Sequence, residues 1–231
     1  MKTKMIVLQS SEISRSMAEK CIAQAKKHGV NVEVFNGIHG KDAPQIIMQH
    51  RLRQYKAKMK GGRLGVLGCF LSHYFLWEEC YKEQQPYMIL EHDAYMLRPL
   101  PENVLELFPD ILKLDSLDPY RQTYQAELDT QSKEDIIWSL HDRKEHGKHT
   151  HSRGLYSIGG YGYIIKPHAA KEIIRQVYRY GFRPADHMLH TSDTVDIHHI
   201  APSVVRIHPE YFNHQAMKSM SLTRNLEKNS E

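Results

Sequence analysis

Apolar positions along the chain follow two rhythms, one of short continuous or alternating runs and one spaced by three and four. Met5-Ile6-Val7-Leu8 is a short β-branched run. After it, Ser10, Ser11 and Ser14 offer helix caps ahead of apolar positions at Met17, Cys21, Ile22 and Ala25. Val30 to Phe35 alternates as a strand does, with Gly29 as the turn before it. The opening therefore predicts strand, helix, strand. Such a βαβ unit implies a parallel sheet, whose ligands gather at the carboxyl ends of the strands.

The same patterns continue downstream. Asn36-Gly37-Ile38-His39-Gly40 is a glycine-bearing loop, and Leu64 to Tyr81 reads as a helix with Leu67, Leu71, Phe75 and Cys80 on one side. Gln85-Pro86 breaks it, and Tyr87 to Leu90 begins a third strand. The stretch Ile89-Leu90-Glu91-His92-Asp93-Ala94-Tyr95-Met96-Leu97 thus falls at a strand's carboxyl end. Asp110 to Asp115 is a candidate fourth strand, and residues 116–152 turn polar and histidine-rich, the pattern of a surface insertion. Gly159 to Ile165 resumes as a strand, Pro167 opens a helix to about Tyr180, and Arg183 to His187 is a short helix or loop. Ser203 to His208 is the last apolar strand. The expected organisation is one α/β domain over residues 1–212, with a mixed, mainly parallel sheet flanked by helices, then a polar tail at 213–231.

Composition narrows the class. At 231 residues the chain can bury a substantial core, and no run of about 18 apolar residues predicts a membrane span. The start of the chain does not read as a secretory signal. Three cysteines without a CxxC pair argue against a disulfide framework or a structural zinc site, which fits a reducing, cytoplasmic setting. The formal charge is 31 minus 27, or +4, and six of the basic residues lie in Arg51 to Arg63 with no acid among them. That segment reads as a solvated face or as a contact for phosphate-bearing partners, including a peripheral membrane contact.

Glu91 and Asp93 carry the candidate chemistry. Residues i and i+2 of a strand share a face, so these carboxylates converge and His92 points away, unless the strand has already ended. Such a pair suits a hard divalent cation bridging phosphates, and equally a helix cap or loop salt bridges. The histidines at His146, His149 and His151 invite a zinc reading, but no second ligand cluster accompanies them; a solvated loop or a mobile lid is the expectation. Cys69, among Leu67, Phe70 and Leu71, reads as core rather than nucleophile.

Several segments, in order, resemble glycosyltransferase family 25, which includes lipooligosaccharide and collagen galactosyltransferases. Gly65-Val66-Leu67-Gly68-Cys69-Phe70-Leu71-Ser72-His73-Tyr74-Phe75-Leu76-Trp77 resembles the family's GEIGCxLSHxxxW. Ile89 to Asp93 resembles its apolar strand ending in Glu-Asp-Asp. Phe35 to Gly40, Gly162 to Ala170, Pro184-Ala185-Asp186 and Ala201 to Val204 match further elements, so the likeness spans most of residues 5–208. Two positions depart: Val66 stands where the family has Glu, and His92 where a middle acid is usual. If the first and third acids handle the metal, Glu-His-Asp keeps the acid-x-acid pattern; if the middle acid is a ligand, the site is altered, unless His92 itself ligates.

The resemblance implies a GT-A-like fold and an inverting, metal-dependent transfer of a hexose, with galactose the leading example. The donor would be a nucleoside-diphosphate sugar, UDP-sugar first, and the acceptor a glycan or a protein hydroxyl. It places the nucleotide near Gln9, Ser10, Asn36 and Gly37, with Arg15 toward a phosphate and Ser72 and His73 near the donor. Asp93 would ligate Mn²⁺, ahead of Mg²⁺, with Glu91 as ligand or orienting acid. His208 stands where some GT-A enzymes offer a late histidine. Asp186 is the candidate base, with a helix N-cap as the plain alternative. Two rival classes are a noncatalytic sugar-nucleotide or glycan binder and a nucleic-acid binder acting through Arg51 to Arg63. The latter segment has Tyr55 alone for stacking, so no nucleic-acid partner is expected.

Overall fold

The computed structural model describes residues 1–54, 64–115, 136–139, 160–190 and 194–211. The basic stretch 55–63, the histidines at 146, 149 and 151, most of the insertion and the tail from 213 lie outside the described residues. The chain begins with β1 (Lys2–Val7), whose Thr3, Met5 and Val7 are buried in alternation. Helix α1 (Glu12–Lys27) follows, capped by Ser11, whose Oγ accepts the Ser14 N–H at 3.3 Å. Gly29, at φ +76°, takes the chain out of that helix. Strand β2 (Glu33–Asn36) completes the predicted βαβ unit.

Next come α2 (Ala43–Gln49), α3 (Leu64–Glu83) and β3 (Tyr87–Glu91). Then follow β4 (Ala94–Met96), β5 (Ile111–Lys113), β6 (Ile136–Ser139) and β7 (Gly162–Ile165). The described chain closes with α4 (Pro167–Tyr180), α5 (Ala185–His190), β8 (Ile197–Ala201) and β9 (Val205–Ile207). The central sheet runs β2-β1-β3-β7-β5-β8-β6. Strands β2, β1, β3, β5 and β8 share one direction; β7 and β6 run against it. This is the expected mixed sheet flanked by helices, with a small antiparallel pair of β4 and β9 beside it.

Each face of the sheet has its own core. On one, Met17, Ala18, Cys21 and Ala25 of α1 pack on Met5, Val7, Met88 and Leu90. On the other, Phe70, Leu71, Tyr74 and Trp77 of α3 pack on Tyr87, Ile89, Tyr163 and Ile165, with Ala169 and Ile173 of α4. Fully burying a side chain of this size stabilises by about 2 kcal/mol. Among the described residues no helix is long and apolar enough to cross a membrane.

Four expectations change. Helix α3 has no single apolar stripe: Leu67 and Phe75 are half-buried, while Gly65, Gly68, Ser72 and His73 are buried with the aromatics. It packs against α2, α4, α5 and the sheet, so most of its circumference is covered. The range 116–152 is not wholly a surface insertion, because Ile136–Ser139 forms the β6 edge strand. The last apolar run joins β4 rather than the central sheet. Strand β8 and helix α2 were not anticipated, the former because Asp196, His198 and His199 interrupt its apolar pattern.

Candidate active site

The segment Gly68 to Trp77 ties three elements to one edge of the sheet. A Cβ on Gly68 would stand 2.5 Å from the Ile38 carbonyl oxygen, and one on Gly40 would stand 2.5 Å from the Leu64 carbonyl carbon. Glycine at both positions lets the start of α3 lie directly on the loop after β2. Ser72 then secures that loop: its Oγ accepts the Ile38 N–H at 2.8 Å and donates to the Gly68 carbonyl at 2.8 Å. The Gly37 N–H in turn bonds the Val7 carbonyl at 2.9 Å, so the ends of β1 and β2 are locked together.

Tyr87, Ile89 and Glu91 share the face of β3 that looks toward α3. There His73 Nε2 lies 3.2 Å from Glu91 Oε1, and His73 Nδ1 lies 2.8 Å from Tyr163 Oη. Trp77 Nε1 donates to the same Tyr163 oxygen at 2.8 Å. Burial works to raise the Glu91 carboxyl, but the hydrogen bond from His73, with His92 and Lys113 nearby, holds it below its ordinary value. An ionised carboxylate only accepts, so His73 carries its proton on Nε2 and Nδ1 accepts from the Tyr163 hydroxyl. Trp77, Tyr163, His73 and Glu91 therefore form one directional chain of donors ending on a carboxylate.

Asp93 departs from the expected geometry. Strand β3 ends at Glu91, and His92-Asp93 is a turn into β4, so strand alternation does not extend to Asp93. His92 lines the same cleft as Glu91 instead of pointing away from it. The Asp93 Oδ1 is enclosed and accepts no hydrogen bond from the described residues. Burial raises its carboxyl above the usual aspartate value, against the pull of His92 and with the push of Glu91. An enclosed carboxylate oxygen without a donor is what a hard cation would satisfy, so this residue fits the expected divalent metal.

His208 sits beside Asp93 through the main chain, its N–H donating to the Asp93 carbonyl at 2.8 Å. Its ring meets Tyr95 edge-on at 5.0 Å, and its Nδ1 accepts the Glu210 N–H at 3.2 Å. That bond sets the ring proton on Nε2, so His208 would have to adopt the other tautomer to ligate a metal through that atom. Burial keeps the ring neutral by lowering its pKa.

A cleft of about 80 Å³ opens at the carboxyl edge of β1, β2 and β3. Its walls are Ile6, Leu8, Gly37, Ile38 and Gly40 on one side and Gly65, Cys69, Ser72, His73, Glu91 and His92 on the other. This is where the chain order of the strands reverses around β1, the usual ligand crevice of such sheets. Gly37, Ser72, His73 and Glu91 are brought together as expected. Gln9, Ser10 and Asn36 are exposed and adjoin the cleft without lining it. The Arg15 guanidinium donates to the Gln9 carbonyl at 2.5 Å and braces that turn.

Asp186 lies in the first turn of α5, its carboxylate accepting the His187 N–H at 2.9 Å, so it is not the helix N-cap. Its charge acts on Cys69 and on Lys113. Three residues near the site escaped sequence reasoning. Tyr163 and Trp77 read as strand and helix aromatics, and Lys113 as one polar position in an apolar strand. Lys113 is buried; desolvation lowers its pKa, while Asp115, Asp186 and Glu91 oppose the shift. No spacing in the sequence marks that a buried lysine feels the charges of acids on β3 and α5.

The family model described as glycosyltransferase family 25 (LPS biosynthesis protein) matches residues 2–189. No curated protein matches the sequence. Among solved structures, a glycosyltransferase involved in the glycosylation of the major capsid of PBCV-1 aligns at 10% identity and TM-score 0.31, over 76% of this chain and 67% of that one. The apo form of mouse xyloside xylosyltransferase 1 aligns at 8% identity and TM-score 0.38, over 82% of this chain and 80% of that one.

Proposed function

As the chain belongs to glycosyltransferase family 25 and is a glycosyltransferase, we propose that it transfers a hexose, galactose first, from a UDP-sugar to a glycan hydroxyl with inversion. The family's description makes lipopolysaccharide assembly the leading context; a protein hydroxyl is the alternative acceptor. The observation that carries this reading is the cleft at the β1, β2 and β3 edge, into which Glu91 brings a carboxylate bonded by His73 at 3.2 Å, with the enclosed, donor-less oxygen of Asp93 two residues further along the chain.

The apolar wall of Ile6, Leu8 and Ile38 suits the flat face of a nucleobase, and the backbone near Gly37 allows close approach of the ribose. Asp93 would hold a divalent cation, Mn²⁺ ahead of Mg²⁺, with Glu91 orienting from the side of α3. Such a cation, when bound, neutralises the charge that builds on the departing diphosphate. His92 faces the ligand from the position of the family's middle acid. Asp186 takes the proton of the acceptor hydroxyl as its oxygen attacks the anomeric carbon opposite the leaving group.

The test is a panel of UDP-, GDP- and CMP-sugars, each with Mn²⁺ or with chelator and a hydroxyl acceptor, read as released nucleotide. Turnover with one UDP-hexose that stops on chelation is expected. Absence of metal-dependent turnover or binding with every donor overturns the reading.

A further inference from the structure

Among the described residues, one grouping brings metal-ligating atoms of three kinds together: Cys69 Sγ, His73 and Glu91, all within 4.8 Å of one another. We propose that this trio is a binding site for a soft or borderline divalent ion, zinc above all, separate from the oxygen-donor position at Asp93. Cys69 and His73 stand one helical turn apart on α3 and so project side by side. Glu91 reaches them from the end of β3, already 3.2 Å from His73 Nε2. In a tetrahedral zinc site the donor atoms stand roughly 3.5 Å apart, so closure needs small rotations of two side chains.

The donor set selects the metal. Thiolate and imidazole discriminate against magnesium and manganese in favour of zinc, while one carboxylate fits either class. Three protein ligands facing an open cleft leave a fourth position for solvent, the pattern of an accessible rather than a purely structural zinc site. The three thiols also differ. Cys80 donates to the Gln85 and Ile165 carbonyls and Cys21 is packed between α1 and the sheet, whereas Cys69 lines the cleft wall.

Neighbouring groups complete the site. With zinc on Nε2 the imidazole adopts the other tautomer, and its Nδ1–H donates to Tyr163 Oη, already 2.8 Å away. The imidazole proton is conserved within the ring, and the Cys69 thiol proton is released to solvent, one per ion bound. Occupation puts the ion on the cleft floor and draws Glu91 away from His73, so zinc would compete with a ligand in the cleft. Binding of the ion requires no sugar donor and can be measured without turnover.

Protein stripped with chelator and titrated with Co²⁺ tests the site directly. One ion per chain with a thiolate-to-cobalt charge-transfer band is expected, the band lost on adding Zn²⁺. Cys69→Ser should abolish the band and weaken Zn²⁺ binding by at least about tenfold. Asp93→Asn should retain both. No charge-transfer band in the wild-type protein, a band that survives Cys69→Ser, or one that disappears in Asp93→Asn overturns the proposal. Should Cys69→Ser not fold, zinc-edge X-ray absorption of the wild-type protein decides: one sulfur at about 2.3 Å supports the site, and a shell of nitrogen and oxygen alone refutes it.

Discussion

His73 Nε2 stands 3.2 Å from Glu91 Oε1, joining the middle of α3 to the last residue of β3. Behind this contact Tyr163 and Trp77 satisfy the remaining polar atoms of a buried chain. Replacing His73 by Phe would leave the half-buried Glu91 carboxylate without its donor and the buried Tyr163 hydroxyl without its acceptor. A loss of about 2–4 kcal/mol is expected, read as a lower urea midpoint with an unchanged slope. A stability within about 0.5 kcal/mol of wild type would show that the chain does not brace the sheet.

The acid limb of stability should carry the signature of Glu91. Its folded-state pKa lies below the ordinary 4.5, so its ionised form stabilises above that value, and the contribution is lost as pH falls through the folded value. Glu91→Gln should therefore be less stable than wild type at neutral pH, and the gap should close on acidification below 4.5. A gap that stays constant with pH would remove Glu91 from the linkage.

Asp115 should behave in the opposite sense. Burial raises its carboxyl from 3.8 to about 6, even though Lys113 and the Tyr161 hydroxyl favour the charge. Stability from this group is fully present below 3.8 and is lost as pH rises through about 6. Asp115→Asn should gain on wild type across that window by up to on the order of 3 kcal/mol. Unfolding by urea on either side of the window measures it; a difference independent of pH would contradict the assignment.

Ser72 and Gly68 should be separable from the carboxylates. Ser72→Ala leaves the Ile38 N–H without its acceptor, at a cost of about 1–2 kcal/mol, and loosens the cleft wall. KM for the donor should rise more than kcat falls. Gly68→Ala forces a methyl against the Ile38 carbonyl and should cost more than Ser72→Ala. Thermal melts of the two variants side by side test the order.

Asp93 and Asp186 should divide binding from transfer. Asp93→Asn is expected to abolish metal-dependent donor binding, whereas Asp186→Asn keeps binding and loses transfer by about 100-fold or more. Calorimetry with donor and Mn²⁺, beside a transfer assay, distinguishes them. Equal donor affinity in the two variants would take Asp93 out of the metal site.

Much of the fold was legible because it rests on local rules. Met5 to Leu8, the serine-capped helix, Gly29 and the Pro167 helix start are set by neighbours within a few residues. What escaped depends on distant partners. Strand β8 carries two histidines and has no clean apolar rhythm, yet it is held between β5 and β6. Strand β6 sits in a polar context and, among the described residues, takes its place from pairing with β8.

For the site, residue types and order alone established a family-like set around Gly68, Ser72, His73, Glu91 and Asp186, at the carboxyl edge of a parallel unit. Tertiary structure decided how the acids are used. The chain turns at His92 because Ala94 to Met96 pair with Val205 to Ile207, a register made far downstream. That pairing ends β3 at Glu91, commits this residue to His73 and leaves Asp93 with an enclosed oxygen. Strand periodicity extends only as far as the strand, and where a strand stops is set by non-local hydrogen bonds that no local pattern encodes.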